Sequence, residues 1–265
     1  MDRRHLVAGL LTVVVVVVAS VAFISVWSVP SGPLDADQAY PPGAGPDQIN
    51  FSDLDAGDAN LTHTPRTHWE SYAIRYSAPP ERRLVEGEYY INSPTGEILA
   101  DRWHDAEVYR NGTEYAFFQP AESLPEHQRE QFASDPQFAY DDATDAYYRY
   151  DRHYGQIAPT NIGRHTMLLD SYHWEAVNRT THHGVPIITY RATGTRSDSG
   201  APPLINGTLR LGVEDGLLYG YDITRDADER PYRYTYSVEP APFPEHEWVD
   251  TARDLAANAT NSNSK

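Results

Sequence analysis

The sequence contains no cysteine. This absence excludes disulfide bonds, a thiolate nucleophile, a CxxC redox pair and any metal site built on sulfur ligands. It also excludes the lipid that bacterial-type lipoproteins carry on a cysteine behind the signal peptide.

Lysine is almost absent as well, because Lys265, the last residue, is the only one. The chain has 38 acidic against 21 basic residues and a formal net charge of -17, which argues against binding nucleic acid. Such a surface repels itself in dilute buffer, whereas at molar salt the Debye length falls to about 3 Å and the repulsion is screened. The composition therefore predicts a protein of a halophile.

The one long apolar stretch lies near the N-terminus, from Leu6 to Val29, and contains no charged residue. As a helix it is long enough to cross a hydrocarbon layer of about 30 Å. Arg3 and Arg4 precede it, and an acidic chain follows. The positive-inside tendency then predicts a single-pass protein of the cell membrane with its C-terminal domain outside.

A cleaved signal peptide is the alternative for this segment. Arg3 and Arg4 resemble the start of a twin-arginine export signal, and Ser20-Val21-Ala22 could form a cleavage site. The apolar run continues beyond it through Phe23, Ile24, Val26 and Trp27, where a polar region should begin. We therefore favour a retained anchor.

Asparagine is concentrated in glycosylation triplets. Of ten asparagines, six begin an N-x-S/T triplet without proline: Asn50, Asn60, Asn111, Asn178, Asn206 and Asn258. An Asn-Gly turn followed by a threonine strand could produce two of these, so Asn111 and Asn206 are expected at exposed hairpin tips. The excess predicts an exported protein with several glycans.

Residues 30–58 are rich in Pro, Gly, Asp and Asn and predict a spacer between the membrane and a folded domain. Asp53, Asp55 and Asp58 lie close together, but Gly57 and Asp58 stand in the reverse of the order that an EF-hand loop requires. We interpret these acids as a solvated linker and not as a calcium site.

Beyond the spacer, short Tyr- and Val-rich runs alternate with turn signals, as is typical of an antiparallel sheet. Two groups of strands are predicted: 69–77, 84–92, 97–103, 107–110 and 113–118, and then 174–181, 186–193, 208–213, 217–223 and 232–238. Turns are expected at 93–96, 111–112, 183–184 and 214–216. Between the groups, 121–134, 142–154 and 160–169 are predicted to be helical or partly helical.

These elements predict an α+β fold dominated by β structure. It is a curved antiparallel sheet, or half-open barrel, with a few covering helices and one N-terminal transmembrane helix. The predicted divisions are a cytoplasmic tail (1–5), a transmembrane signal anchor (6–29), a spacer (30–58), an ectodomain (59–250) and a disordered polar tail (251–265).

The C-terminal half carries a family resemblance. Its runs Trp174 to Thr180, Gly184 to Ala192, Gly207 to Tyr221 and Tyr232 to Val238 precede Pro244 and Trp248. Over residues 59–250 this order resembles the LolA/LppX-type lipoprotein-carrier superfamily, including halophilic archaeal surface lipoproteins. The resemblance implies a half-open barrel with a lipid-like ligand between the strand groups and the central helices. It transfers no ligand residues, and the lipid-anchor cysteine of the lipoprotein members is missing.

No catalytic, cofactor-binding or metal-binding constellation is recognisable. His182 and His183 are neighbours on a predicted strand, where side chains point to opposite faces, so they are expected to chelate poorly. His173 with Glu175 lacks further ligands in sequence, and acid pairs such as Asp141 and Asp142 are expected to be solvated. No G-x-S-x-G elbow or phosphate loop is present, so no enzyme is predicted.

Two functions are favoured, and an unrecognised hydrolase is kept as a third hypothesis. The first is a membrane-anchored extracytoplasmic binding protein, attached through residues 6–29, that holds a lipid-like or hydrophobic ligand. The second is a glycosylated structural or interaction protein of the envelope, in contact with the surface layer and without a small-molecule ligand. A bound lipid would favour the first, and a fully packed interior would favour the second.

Overall fold

The computed structural model describes residues 34, 38–56, 69–78, 85–101, 105–154, 166–227 and 230–262. The anchor predicted at 6–29, Asn60 and Asp58 lie outside these residues. Within them, no helix is long and apolar enough to cross a membrane.

All twelve strands of the described chain join one open antiparallel sheet in the order β6-β7-β5-β4-β3-β2-β1-β12-β11-β10-β9-β8. Their bounds are β1 Ser71–Ala78, β2 Val85–Asn92, β3 Glu97–Asp101, β4 Glu107–Asn111, β5 Glu114–Pro120, β6 Ala139–Asp141, β7 Ala146–Asp151, β8 Tyr172–His182, β9 Val185–Thr195, β10 Leu204–Gly212, β11 Leu218–Ala227 and β12 Arg230–Pro240. Four helices accompany the sheet: α1 Phe51–Ala56, α2 Glu126–Ser134, α3 Thr166–Leu169 and α4 Trp248–Ser262. The prediction of a β-dominated fold with one curved antiparallel sheet and few helices is confirmed.

Neighbouring strands form hairpins where the sequence places turn residues. Gly112 and Gly184 have φ angles of 58° and 90°, in the left-handed region that a tight hairpin turn requires. The two halves of the sheet then meet where β1 pairs with β12, with Tyr76 opposite Tyr236. This long-range pairing turns two local meanders into one continuous sheet.

The sheet has two faces, which we call the first and the second. The larger core lies on the first face and includes Ile98 of β3, together with Tyr72, Trp174 and Tyr190, all almost fully buried. Leu99, the next residue of β3, belongs to a separate core with α4. Because consecutive strand residues point to opposite sides, α4 covers the second face.

The helix predicted over 142–154 is wrong, because Ala146–Asp151 form β7 and pair with β5. The segment instead turns at 142–145, where Asp145 has a φ of 49°. The tyrosines of β7 suit a half-buried strand, with Tyr147 and Tyr148 in two different cores. The helix predicted over 121–134 is shorter than expected, because it begins only after Pro125.

The spacer predicted at 30–58 also needs correction over its C-terminal half. Ile49 and Phe51 are 7% and 6% exposed and belong to the larger core. An isolated bridge pairs Ala44 with Ile49, and the Ala176 N–H of β8 donates to the Pro46 carbonyl at 2.7 Å. Two apolar side chains among many prolines and glycines are enough to dock this segment onto the sheet.

The tail predicted to be disordered from 251 is part of α4 as far as Ser262. Val249 and Ala252 are 2% and 1% exposed, and Leu255 packs beside them. Arg253 Nε donates to Glu114 Oε1 at 2.7 Å, and Trp248 Nε1 donates to Glu107 Oε2 at 2.7 Å. The tail is polar overall, so the sequence predicted disorder. Its few apolar residues nevertheless recur at helical spacing and form a narrow apolar stripe.

Candidate functional site

A cavity of about 670 Å³ opens on the half of the sheet formed by β8 to β12. The register sets Arg210 opposite both Thr189 and Gly220, and Gly220 opposite Ser237. Directly opposed residues share a face, so these side chains all lie on the second face. The cavity therefore opens on the side of the sheet that carries α4.

The cavity wall is rich in hydroxyl and amide groups. They come from alternate positions of several strands: Asn178, Thr180, Thr189, Thr208, Thr235 and Ser237. The Asn178 side-chain oxygen and the Thr180 hydroxyl are buried without a hydrogen-bond partner. Because buried polar atoms are normally hydrogen-bonded, both are suited to contact a ligand or an ordered water.

Arg210 supplies the positive charge of this cavity. Its guanidinium lies over Gly220, where an added Cβ would come within 2.6 Å of Nη2 and push the end of the arginine side chain aside. Burial lowers the pKa of Arg210, and the charge of Glu239 opposes that shift. The group remains cationic, since arginine is not deprotonated in proteins.

A second arginine at the cavity is neutralised. Arg233 of β12 meets Asp222 of β11 in a two-pronged ion pair, with Nε to Oδ1 at 2.9 Å and Nη2 to Oδ2 at 2.5 Å. Both side chains are exposed. Arg210 differs in its contacts, because it meets the His182 ring and feels the charge of Glu239.

One end of the cavity adjoins a pair of histidines. His182 ends β8, and His183 opens the turn to β9 with a φ of 46°. His183 Nε2 lies 2.7 Å from Glu239 Oε2, and His182 Nε2 lies 3.4 Å from the same atom. The expectation that the two side chains point apart is wrong, because the left-handed backbone at His183 interrupts the strand alternation.

Hydrogen bonds fix the buried His182 ring. An Arg210 N–H lies 3.3 Å from Nδ1, and Nε2 is 2.8 Å from the Val238 carbonyl oxygen. With Nδ1 as acceptor, the Nε2–H donates to Val238, which defines a neutral tautomer. Burial lowers the pKa of His182, Arg210 lowers it further, and Val238 and Glu239 oppose the shift.

Trp69 packs against the edge of both imidazoles. Its ring centroid lies 5.9 Å from that of His182 and 6.1 Å from that of His183. The Trp69 indole N–H donates to the His183 carbonyl oxygen at 3.2 Å. These contacts hold the turn and the two rings in one arrangement.

The other sequence candidates do not assemble in this way. Glu175 pairs with Arg191 at 2.9 Å on the neighbouring strand, so it does not form a site with His173. Asp141 accepts hydrogen bonds from the Ala143 N–H and the Thr144 hydroxyl within a turn. Asp53 accepts a hydrogen bond from the Asn50 side chain at 2.7 Å.

A second depression, of about 940 Å³, lies beside α1 and contains several acids. Arg196 bonds two of them, Asp170 at 3.2 Å and Asp198 at 3.3 Å. These pairs are exposed and have low energetic value. The depression offers weaker grounds for a binding site than the cavity that holds Arg210.

The glycosylation candidates fall into different surroundings. Asn111 lies at the β4–β5 turn as expected but is half-buried, whereas Asn206 lies inside β10 next to a register shift and not at a hairpin tip. Asn206 and Asn258 are exposed, while Asn178 is half-buried in the cavity wall. The Asn50 side chain caps α1 by accepting the Ser52 N–H.

The surroundings of each asparagine should decide whether it carries a glycan. We expect glycans at Asn111, Asn206 and Asn258 and a bare Asn178, because a glycan at Asn178 would have to occupy the cavity. Glycopeptide mass spectrometry of the native protein measures the occupancy of each triplet. A glycan at Asn178 combined with bare Asn206 and Asn258 would contradict this expectation.

Comparisons with known proteins add little. No protein-family model matches the sequence, and no curated protein matches it. A solved structure described as a LolA superfamily protein from Nitrosomonas europaea is similar to 74% of this chain and 96% of its own, at 10% identity and a TM-score of 0.22. A likeness at this level identifies neither a family nor a ligand.

Proposed function

We propose that this protein is an extracytoplasmic binding protein whose cavity on β8 to β12 holds a small ligand with one anionic group. The observation that carries this proposal is Arg210, a half-buried cation at the cavity in a chain with a net charge of -17. An arginine in such a place is suited to a carboxylate or phosphate, which it bonds through charge-assisted hydrogen bonds.

The other residues of the cavity wall indicate the chemistry of the ligand beyond its anionic group. Besides the hydroxyl and amide groups, Ile187 contributes apolar surface, while the side chains of Tyr221 and Tyr236 belong to the larger core on the first face. This mixture favours an amphiphile with a polar end at Arg210 over a wholly hydrocarbon ligand. The family resemblance implies a lipid-like ligand, whereas this wall favours a ligand with a charged head and a short apolar part.

The location of the protein is part of the same proposal. The apolar run 6–29 would anchor the chain in the membrane of a halophile, with the domain outside the cell. The triplets at Asn111, Asn206 and Asn258 fit an exported, glycosylated protein. The acidic surface fits an environment of molar salt.

The ligand proposal is tested with two matched probes, octanoate and octan-1-ol. Isothermal titration of the detergent-solubilised full chain in molar salt should show octanoate binding at least about tenfold more tightly, because only the anion meets Arg210. Arg210→Gln should abolish this preference. Arg191→Gln is the control, since Arg191 pairs with Glu175 outside the cavity and should leave the preference unchanged. Equal affinities of the native protein for both probes would refute the role of Arg210.

Salt dependence provides a separate test of the halophilic setting. We expect the full chain to lose its β-sheet circular dichroism as KCl is lowered from about 3 M to about 0.1 M, because unscreened acidic groups repel one another. Sucrose at matched osmolality should not replace the salt, since it does not screen charge. A protein that stays folded and monomeric without salt would contradict the halophilic assignment.

The packed first face favours the second candidate function, an envelope protein without a small ligand. Neighbouring side chains on that face fully bury Tyr72, Ile188 and Tyr190. A failure of both octanoate and octan-1-ol to bind, in a protein shown to be folded, would favour this alternative.

A further inference from the structure

We propose that His182, His183 and Glu239 form a binding site for a divalent transition-metal ion such as Zn²⁺. One ring nitrogen of each imidazole and a Glu239 carboxylate oxygen all lie within 4.8 Å of one another. This inference does not depend on the proposed anionic ligand, because it rests on a different group of side chains.

The spacing of the donor atoms fits a metal ion. Ligands of a tetrahedral zinc ion with bonds of about 2.0–2.1 Å lie roughly 3.4 Å apart. His182 Nε2 is already 3.4 Å from Glu239 Oε2, while His183 Nε2, at 2.7 Å, needs a small outward shift. His183 can make this shift, because nearly half of its side chain is exposed.

The donor set selects the class of metal. Two imidazoles and one carboxylate suit zinc, nickel or copper, whereas calcium and magnesium require mainly oxygen ligands. Three protein ligands leave further coordination positions for water or for an anion from solution. The Val238 carbonyl oxygen, 2.8 Å from His182 Nε2, now accepts the Nε2–H, so the His182 ring must turn away from it for the ion to bind at Nε2.

Several elements hold the ligands in place. The hairpin turn fixes His183 next to the end of β8, and β12 carries Glu239 on the second face opposite Ala73. Trp69 lies against both imidazoles and bonds the His183 carbonyl. Such second contacts orient ligand side chains before the ion arrives.

Arg210 opposes the ion. When His182 binds through Nε2, its proton moves to Nδ1, where it would face the Arg210 N–H now 3.3 Å away. The guanidinium must then turn away, and the cavity that it lines offers space for this movement. Removal of the Arg210 charge should therefore strengthen metal binding.

The test uses the untagged full chain in detergent and molar NaCl, treated with EDTA and dialysed. Titration with ZnSO₄ should show one equivalent bound, and CoSO₄ should give the visible absorption of a low-symmetry Co²⁺ site with nitrogen ligands. His183→Ala and Glu239→Gln should each weaken Zn²⁺ binding at least about tenfold, since even the loss of an outer contact costs about 10–100-fold. These two variants change partly exposed side chains and should leave the fold intact.

Two further variants separate a metal site from scattered binding and from a simple ion pair. His173→Ala removes an exposed histidine outside the cluster and should leave the titration unchanged. Arg210→Gln should raise the Zn²⁺ affinity. The proposal is overturned if His183→Ala and Glu239→Gln bind Zn²⁺ as tightly as the native chain does. It is also overturned if the native chain binds no Zn²⁺. In either case Glu239 only forms hydrogen bonds or ion pairs with the two histidines.

Discussion

Replacing Trp174 by alanine is expected to lower the free energy of unfolding by about 3–5 kcal/mol. Trp174 is 2% exposed and belongs to the larger core. Its indole N–H donates to the Leu169 carbonyl at 2.9 Å, which ties α3 to β8. The substitution removes the apolar contacts, leaves a cavity and breaks this hydrogen bond.

Urea denaturation at constant molar salt, followed by circular dichroism, measures the effect, because urea does not alter the ionic strength. Trp174→Phe keeps an aromatic ring without the N–H and should cost less than alanine. Met167→Ala is the matched control, since Met167 is 88% exposed and should change the free energy of unfolding by less than about 0.5 kcal/mol. An alanine variant as stable as the control would show that Trp174 does not pack in the core.

Truncation of the chain after Glu247 is expected to remove roughly 3–6 kcal/mol of stability. A fully buried apolar side chain of the size of valine or larger contributes about 1.5–3 kcal/mol, and α4 provides one, Val249, together with two partly buried ones. The truncation deletes α4 and its apolar residues Trp248, Val249 and Leu255. It uncovers Leu99 and Tyr109, which are 5% and 2% exposed in the intact domain. A small domain with a total stability of about 5–15 kcal/mol would lose a large share of it.

The matched control ends at Ser262 and keeps all of α4, so it should melt like the full chain. Arg253→Ala should cost less than the truncation, because it removes mainly the ion pair with Glu114. The Arg253 hydrogen bond lowers the pKa of Glu114, so this contribution is present at neutral pH and is lost as the pH falls through that lowered pKa. A truncated chain with unchanged urea midpoint would mean that α4 does not support the sheet.

The strands were predictable because their signals are local. Alternating Tyr, Val and Ile residues mark β8 and β9, and His183-Gly184 marks the turn between them. The segment 142–154 was predicted wrongly because a short aromatic run such as Tyr147-Tyr148 does not distinguish a helix from a strand. Pairing with β5 across the sheet decided its conformation.

The candidate site was less predictable. Asn178 was identified as a glycosylation triplet, yet the structure places its side-chain oxygen in a cavity wall. Arg210 belongs to no sequence motif. The one signal that could have identified it is its place on a predicted strand, where it would be expected to face a threonine-rich surface. Glu239 could not be linked to the histidines, because the pairing of β12 with β1 and β11 sets its position.

The sequence by itself determined the turns, the strand periods, the acidic charge and the exclusion of all cysteine chemistry, because each depends on residue type and near neighbours. Only the tertiary structure decided that β1 pairs with β12, that Ile49, Phe51 and α4 dock onto the sheet, and that His182 and His183 meet Glu239. These contacts join residues far apart in the chain, so register and packing fix them, together with one left-handed backbone angle at His183.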